Sequence, residues 1–205
     1  MLLAAWLAQQ PGLAWDVERV LEAAEQRGAK TLSQVQALRQ LVERAASLDT
    51  PAKLALINNF FNQRVAYAED TDAWGVIDYW ASPLETLQKG RGDCEDYASA
   101  KYFSLLAAGV PGEQLRMVYV RAQLQGRSVA HMVLAHYASP EAEPTILDNL
   151  QTELRPASAR RDLQPVFSFN AEGLWNGVAG SSAGNPVNRL SQWRDLLAKA
   201  RAEGF

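Results

Sequence analysis

The chain has 205 residues, 48% of them hydrophobic, and no low-complexity stretch, which suits one domain enclosing a real core. Its net charge of −3 leaves basic residues scattered rather than gathered into the stripe that a phosphate backbone requires, which argues against a nucleic-acid partner. A single cysteine, Cys94, excludes an intramolecular disulfide, so that thiol is either inert filling or a nucleophile.

In chain order, residues 1–7 are apolar but much shorter than a membrane span, with no basic leader or secretory cleavage site. From Asp16, Val17, Val20, Leu21 and Ala24 recur at helical spacing up to Gly28. Leu32, Val35, Leu38, Leu41 and Val42 repeat the pattern over 31–48. Thr50-Pro51 supplies an N-cap and a first-turn proline for a third helix, which carries Leu54, Ile57, Phe60 and Phe61 inward as far as about Arg64. The acidic and aromatic stretch over 67–83 fits neither period and reads as a loop packed on the core. After the flexible turn Gly90-Arg91-Gly92, residues 94–108 place Ala98, Tyr102, Leu105 and Leu106 on one helical face, closed by Gly109. Cys94 therefore stands at a helix N-terminus.

Beyond Val110-Pro111-Gly112 the period becomes that of strands: 115–124, a turn at Gln125-Gly126, then 129–137 as a hairpin partner. A third strand over 145–147 ends on Asp148, and a short one covers 166–169. A glycine- and serine-rich loop over 173–188 and a closing helix over 190–200 complete the chain. The sum is an α+β fold in one domain, 1–205: a helical part over about 1–66, packed on an antiparallel sheet that belongs to a core over about 67–205.

A thiol attacks as thiolate, and a helix N-terminus favours that anion, so Cys94 occupies a suitable place. Alternate strand residues share a face, which puts His131 with Val133, Ala135 and Tyr137 and turns His136 the other way with Met132 and Leu134. Asp148, on one face with Ile146, could orient the His131 ring and stabilise its cationic form. Each residue has a plainer role: a small hydrophobe, a hydrogen-bonded core histidine, a turn-forming aspartate beside Asn149. Their order and placement favour the catalytic reading.

Asp93, Glu95 and Asp96 suit a helix start, yet three carboxylates around a thiol oppose its ionisation. A bound cation would remove that conflict, and carboxylates with no second cysteine or nearby histidine describe an oxygen-ligated ion, calcium rather than zinc, held on the order of micromolar. Asp70 and Asp72 either complete such a site or are solvated loop acids. An oxyanion hole would draw on the Cys94 amide and an indole N–H from Trp74 or Trp80. Trp175 either serves a partner surface or is buried.

The segment Lys89-Gly90-Arg91-Gly92-Asp93-Cys94-Glu95-Asp96-Tyr97-Ala98, followed by Ala130-His131-Met132-Val133-Leu134 and Leu147-Asp148-Asn149, resembles the LapG-type bacterial transglutaminase-like cysteine proteinases, from about Asp70 to the C-terminus. The resemblance implies a papain/transglutaminase-like fold, with Cys94 as nucleophile, His131 as general base and acid, Asp148 as the orienting carboxylate, and calcium near the cysteine through Asp93 and Glu95. It implies a periplasmic protease that cuts the N-terminal region of a large RTX-type surface adhesin at a paired-alanine site and so disperses biofilm. An inner-membrane cyclic-di-GMP receptor would sequester it. Acyl transfer or deamidation on the same fold, or a non-catalytic module that binds a peptide or the receptor, are the competing expectations.

Overall fold

Aspartates start the first and third helices, because a short side-chain oxygen can take an amide that the first turn leaves unpaired. Asp16 accepts from the Arg19 amide at 3.1 Å and opens α1 (Val17–Gln26); α2 (Ala29–Ala46) follows across Gly28. Asp49, rather than Thr50, caps α3 (Thr50–Arg64), accepting from the Ala52 amide at 3.0 Å. Thr50 is already helical, which fits Pro51 in the first turn. The computed structural model describes residues 15–177 and 182–205, and the apolar stretch 1–7 lies outside them. None of its helices is long and apolar enough to cross a membrane.

The stretch expected as a loop carries one helical turn, and a further helix begins at its end. Asp70–Ala73 forms a single turn, α4, and Pro83–Lys89 forms α5. α5 starts with a capping box: Ser82 Oγ accepts from the Glu85 amide at 3.1 Å while the Glu85 carboxylate accepts from the Ser82 amide at 2.8 Å. It ends at Gly90, whose φ of 67° is the left-handed conformation that glycine adopts readily. Two short strands, β1 (Ala66–Tyr67) and β2 (Arg91–Gly92), then pair in parallel and lead into α4 and α6 (Cys94–Ala107). The chain enters α6 tightly, since a Cβ on Gly92 would sit 2.8 Å from Asp96 Cβ.

The hairpin forms as expected: β3 (Leu115–Leu124) and β4 (Arg127–His136) join through Gln125 and Gly126, both at positive φ. With β5 (Thr145–Leu147), β6 (Arg155–Pro156), β7 (Leu163–Phe169), β8 (Leu174–Asn176) and β9 (Ser182–Gly184) they build an antiparallel sheet of order β6-β5-β4-β3-β7-β8-β9. The expected glycine-rich loop is thus partly strand, with residues 178–181 of it outside the described residues, and it ends in the short α7 (Pro186–Arg189). α8 (Ser191–Glu203) closes the chain.

Alternation along the strands divides the apolar side chains. Leu115, Met117, Met132, Leu134, Leu147 and Phe169 pack with the helices, while Val118, Val120, Val133, Ala135, Tyr137 and Ile146 form a smaller cluster. α8 is held on by the fully buried Trp193, which meets Tyr102 and Phe169 edge-on and donates its indole N–H to Asn170 O at 3.2 Å. Deleting such a ring costs about 3–5 kcal/mol. α6 lies at the centre of the molecule, buried along most of its length and packed on both α3 and β4. Its first turn is pinned to the end of α3 by the Tyr97 hydroxyl, which donates to Val65 O.

Candidate active site

Cys94 is the first residue of α6, half-buried, with the Met132 amide of β4 directed at its sulfur. The register of β4 with β5 pairs Leu134 with Leu147, so one step further Asp148 lies opposite Val133, on the same face as His131 two residues along. His131 Nε2 accordingly meets Asp148 Oδ1 at 2.8 Å, with both side chains buried. This leaves Nδ1 as the ring nitrogen available for proton exchange. Cys94, His131 and Met132 line one cleft of about 830 Å³, and Asp148 lies behind the His131 ring rather than in the cleft lining.

Asp148 is the most heavily bonded carboxylate of the site. Oδ1 also accepts from the Asn149 and Leu150 amides at 2.7 and 3.1 Å, and Oδ2 accepts from Arg160 at 2.7 Å. Burial opposes its charge, but the His131 hydrogen bond and charge, the Leu150 amide and Arg160 outweigh it and hold the carboxyl well below the usual carboxylate range. Its backbone carbonyl takes two further donors, Asn62 Nδ2 at 2.8 Å and Lys101 Nζ at 3.1 Å.

Arg160 and Lys101 were missed in the sequence. Nothing around Arg160 marks it, since it sits in an aperiodic stretch. Lys101 had a signal: it lies seven residues after Cys94, a helical repeat that puts a lysine on the buried stripe with Ala98 and Leu105. Burial pulls its ammonium down to about 7, against the charge of Asp148. Lys101→Met is expected to lower kcat about tenfold with KM unchanged, the effect of losing one hydrogen bond that orients Asp148. Steady-state kinetics across pH checks this: the wild-type profile should carry a titration near the lysine that the variant lacks.

The electrostatics at the cysteine run against ionisation. The thiol donates to Glu95 Oε2 at 3.0 Å. Burial first, then the charge and hydrogen bond of Glu95 and the charge of Asp93, push the thiol well above its ordinary range, and the Met132 amide lowers it only in part.

The acids themselves fit a hard cation. Ligand oxygens of Asp70, Asp93 and Asp96 lie within 4.8 Å of one another, and all three side chains are buried. Asp70 Oδ2 accepts from the Tyr79 amide at 2.5 Å and Asp96 Oδ1 from the Ala81 amide at 2.8 Å. The remaining oxygens, Asp70 Oδ1 and Asp96 Oδ2, are buried with no hydrogen-bond partner, as is Asp93 Oδ1. Unpaired buried carboxylate oxygens are costly unless a cation takes them. Glu95 joins two neighbouring groups, one with Asp93 and Cys94 and one with Asp70 and Asp78.

Two expectations about this region need correction. Asp72 is exposed on the outer side of α4 and joins no such group among the described residues; Asp70, on the inner side of the same turn, takes its place. Trp74 does not line the cleft either: its ring packs on Tyr79 at 4.5 Å under the Lys89 ammonium at 4.7 Å, and Trp80 lines the cleft instead. Trp175 is half-buried beneath the Arg116 guanidinium, 4.0 Å from the ring centre.

A cysteine at a helix start, a histidine–carboxylate pair on adjacent strands and an antiparallel sheet define a papain-like cysteine hydrolase site. The model of the bacterial transglutaminase-like cysteine proteinases matches residues 29–161, and the chain belongs to that family and is a cysteine protease. Among solved structures it is similar to calcium-bound LapG of Legionella pneumophila, with 40% identity and a TM-score of 0.78 over 90% of this chain and 98% of that one. The EGTA-treated form of the same protein is similar too, with 39% identity and a TM-score of 0.80 over 90% and 97%. No curated protein matches by sequence.

Proposed function

We propose that this cysteine protease is a calcium-dependent endopeptidase in which Cys94, His131 and Asp148 act as the triad. The observation that carries the reading is the buried His131–Asp148 pair, 2.8 Å apart, whose histidine lines one cleft with a helix-start cysteine. His131 Nδ1 takes the thiol proton, and the Cys94 sulfur attacks the scissile carbonyl. The imidazolium then protonates the departing amine, leaving a thioester at Cys94. His131 next takes a proton from water, whose oxygen attacks the thioester and releases the acid and the free thiol. Asp148, anchored by Arg160 and two amides, keeps the ring oriented and stabilises its charge in each half. The Cys94 amide is a donor for the developing oxyanion, and Trp80 is better placed than Trp74 to supply a second.

Asp70, Asp93, Asp96 and Glu95 would hold the calcium, as the orphaned oxygens of the three aspartates suggest. When bound, it supplies positive charge beside Cys94, countering the carboxylates that hold the thiol protonated. Calcium in the similar LapG structure supports this choice of ion.

The finer reading rests on the family resemblance: a periplasmic enzyme that cuts the N-terminal region of an RTX-type adhesin at a paired-alanine site, releases it and disperses biofilm. Its partner would be an inner-membrane cyclic-di-GMP receptor that sequesters it. Apolar side chains at the cleft mouth suit a polypeptide; Ile77, 91% exposed, stands there with Leu124, Val129 and Leu150. The test is incubation with an adhesin N-terminal fragment carrying paired alanines, with calcium, with a chelator, and as Cys94→Ala. Cleavage releasing a free amine terminus, only with calcium and Cys94, is expected. Amine incorporation without cleavage would make the enzyme a transferase.

A further inference from the structure

A second cavity, of about 380 Å³, opens beside the cleft between α2, the end of α3, α5 and the paired strands β1 and β2. Lys30, Arg64, Lys89 and Arg91 line it, and no acidic residue does. All four are exposed, and none is in an ion pair among the described residues. In a chain of net charge −3 such a concentration is not expected from composition alone. The catalytic cleft has the opposite sign, lined by Glu69, Asp70, Asp78, Asp93 and Glu95. Tyr67 lines both cavities, so the two adjoin at that residue. β1 and β2 fix their separation: Arg91 stands three residues before Cys94, and Tyr67 three before Asp70, about 10 Å of extended chain.

We infer that this basic cavity is a subsite for an acidic segment of the polypeptide being cut, about three residues from the scissile bond. The inference rests on the endopeptidase reading for its occupant, because an extended chain passing Tyr67 would reach both cavities. Complementary charge at such a rim adds modest affinity, screened by salt.

The test measures binding separately from cleavage. Labelled paired-alanine peptides carry an aspartate run on one side or the other of the alanines, or asparagines in the same places, and are titrated against the Cys94→Ala protein with calcium. One aspartate peptide is expected to bind about tenfold more tightly than its asparagine counterpart at low salt, an advantage that fades at high salt. Lys30→Glu with Arg91→Glu should abolish it, and the milder Lys30→Gln with Arg91→Gln should reduce it should charge reversal harm folding. Equal affinity of aspartate and asparagine peptides would overturn the inference. So would an advantage that survives both double variants, or an aspartate peptide without the alanine pair that binds as tightly. Should the binding difference hold while the active enzyme cuts none of the peptides, the basic subsite stands and the endopeptidase reading falls.

Discussion

An Asp148→Asn variant is expected to keep its fold and lose about 10³- to 10⁴-fold in kcat, because an amide oriented by the same donors stabilises no imidazolium and favours the wrong ring tautomer. Asn62 and Lys101 bind the backbone carbonyl of residue 148, so that part of the anchoring survives the change. Asp148→Ala is expected to lose activity to the same extent and, in addition, about 3 kcal/mol of stability, since Arg160 is buried and would keep only Asp162 as a partner. Peptidase assays and urea denaturation on the two variants separate the roles. Equal stability losses would show that Asp148 matters chiefly as a counter-charge for Arg160.

Calcium should raise the melting temperature by an amount that grows with pH. Burial first, against the Tyr79 and Ala81 amides at Asp70 and Asp96, and then the negative charge of Glu95 push the carboxyls of Asp93, Asp96 and Asp70 up to about 10, 8 and 6. These native values lie above those of the unfolded chain. The stability the three groups contribute is therefore complete below the ordinary carboxylate range, near about 3.9, and is lost as pH rises through 6, 8 and 10. Lys101 runs the other way: its native value of about 7 is depressed, so its contribution is present above the ordinary lysine range and lost as pH falls through 7. That contribution is common to both conditions, so the difference between melting temperatures with calcium and with chelator reports on the carboxylates.

The gap should widen from about pH 6 to about pH 9, as protons cease to compete with the ion. Calcium a hundredfold above its dissociation constant contributes about 2.7 kcal/mol, which is about 5–10 °C for a chain of this size. Asp70→Asn should close most of the gap, and Asp72→Asn should leave it. A gap independent of pH, or untouched by Asp70→Asn, would place the ion elsewhere.

Periodicity carried much of this fold. The third helix, the hairpin and the strand ending at Asp148 were legible because apolar spacing and turn residues agreed there. α5 was hidden by its short length, squeezed between the acidic and aromatic stretch and Gly90, although Ser82 and Glu85 form a capping box that can be read directly from sequence. Within the site, the acids flanking Cys94 were visible as neighbours in the chain. Choosing Asp70 over Asp72 was not, because a single helical turn decides which of two aspartates two positions apart faces inward. Arg160 and the basic cavity depend on contacts between distant segments, which no local pattern records.

The central claim is that Cys94 becomes a nucleophile when a cation offsets the surrounding carboxylates, and the rate of its alkylation tests this most directly. With one cysteine in the chain, iodoacetamide uptake followed by mass spectrometry reports on Cys94 alone. Near neutral pH the reaction should be slow in chelator, where burial, Glu95 and Asp93 keep the thiol protonated, and at least about tenfold faster with calcium. The acceleration should shrink in His131→Gln. Equal rates with and without calcium, unaffected by His131, would contradict the account and leave Cys94 as an inert, half-buried thiol at the start of a helix.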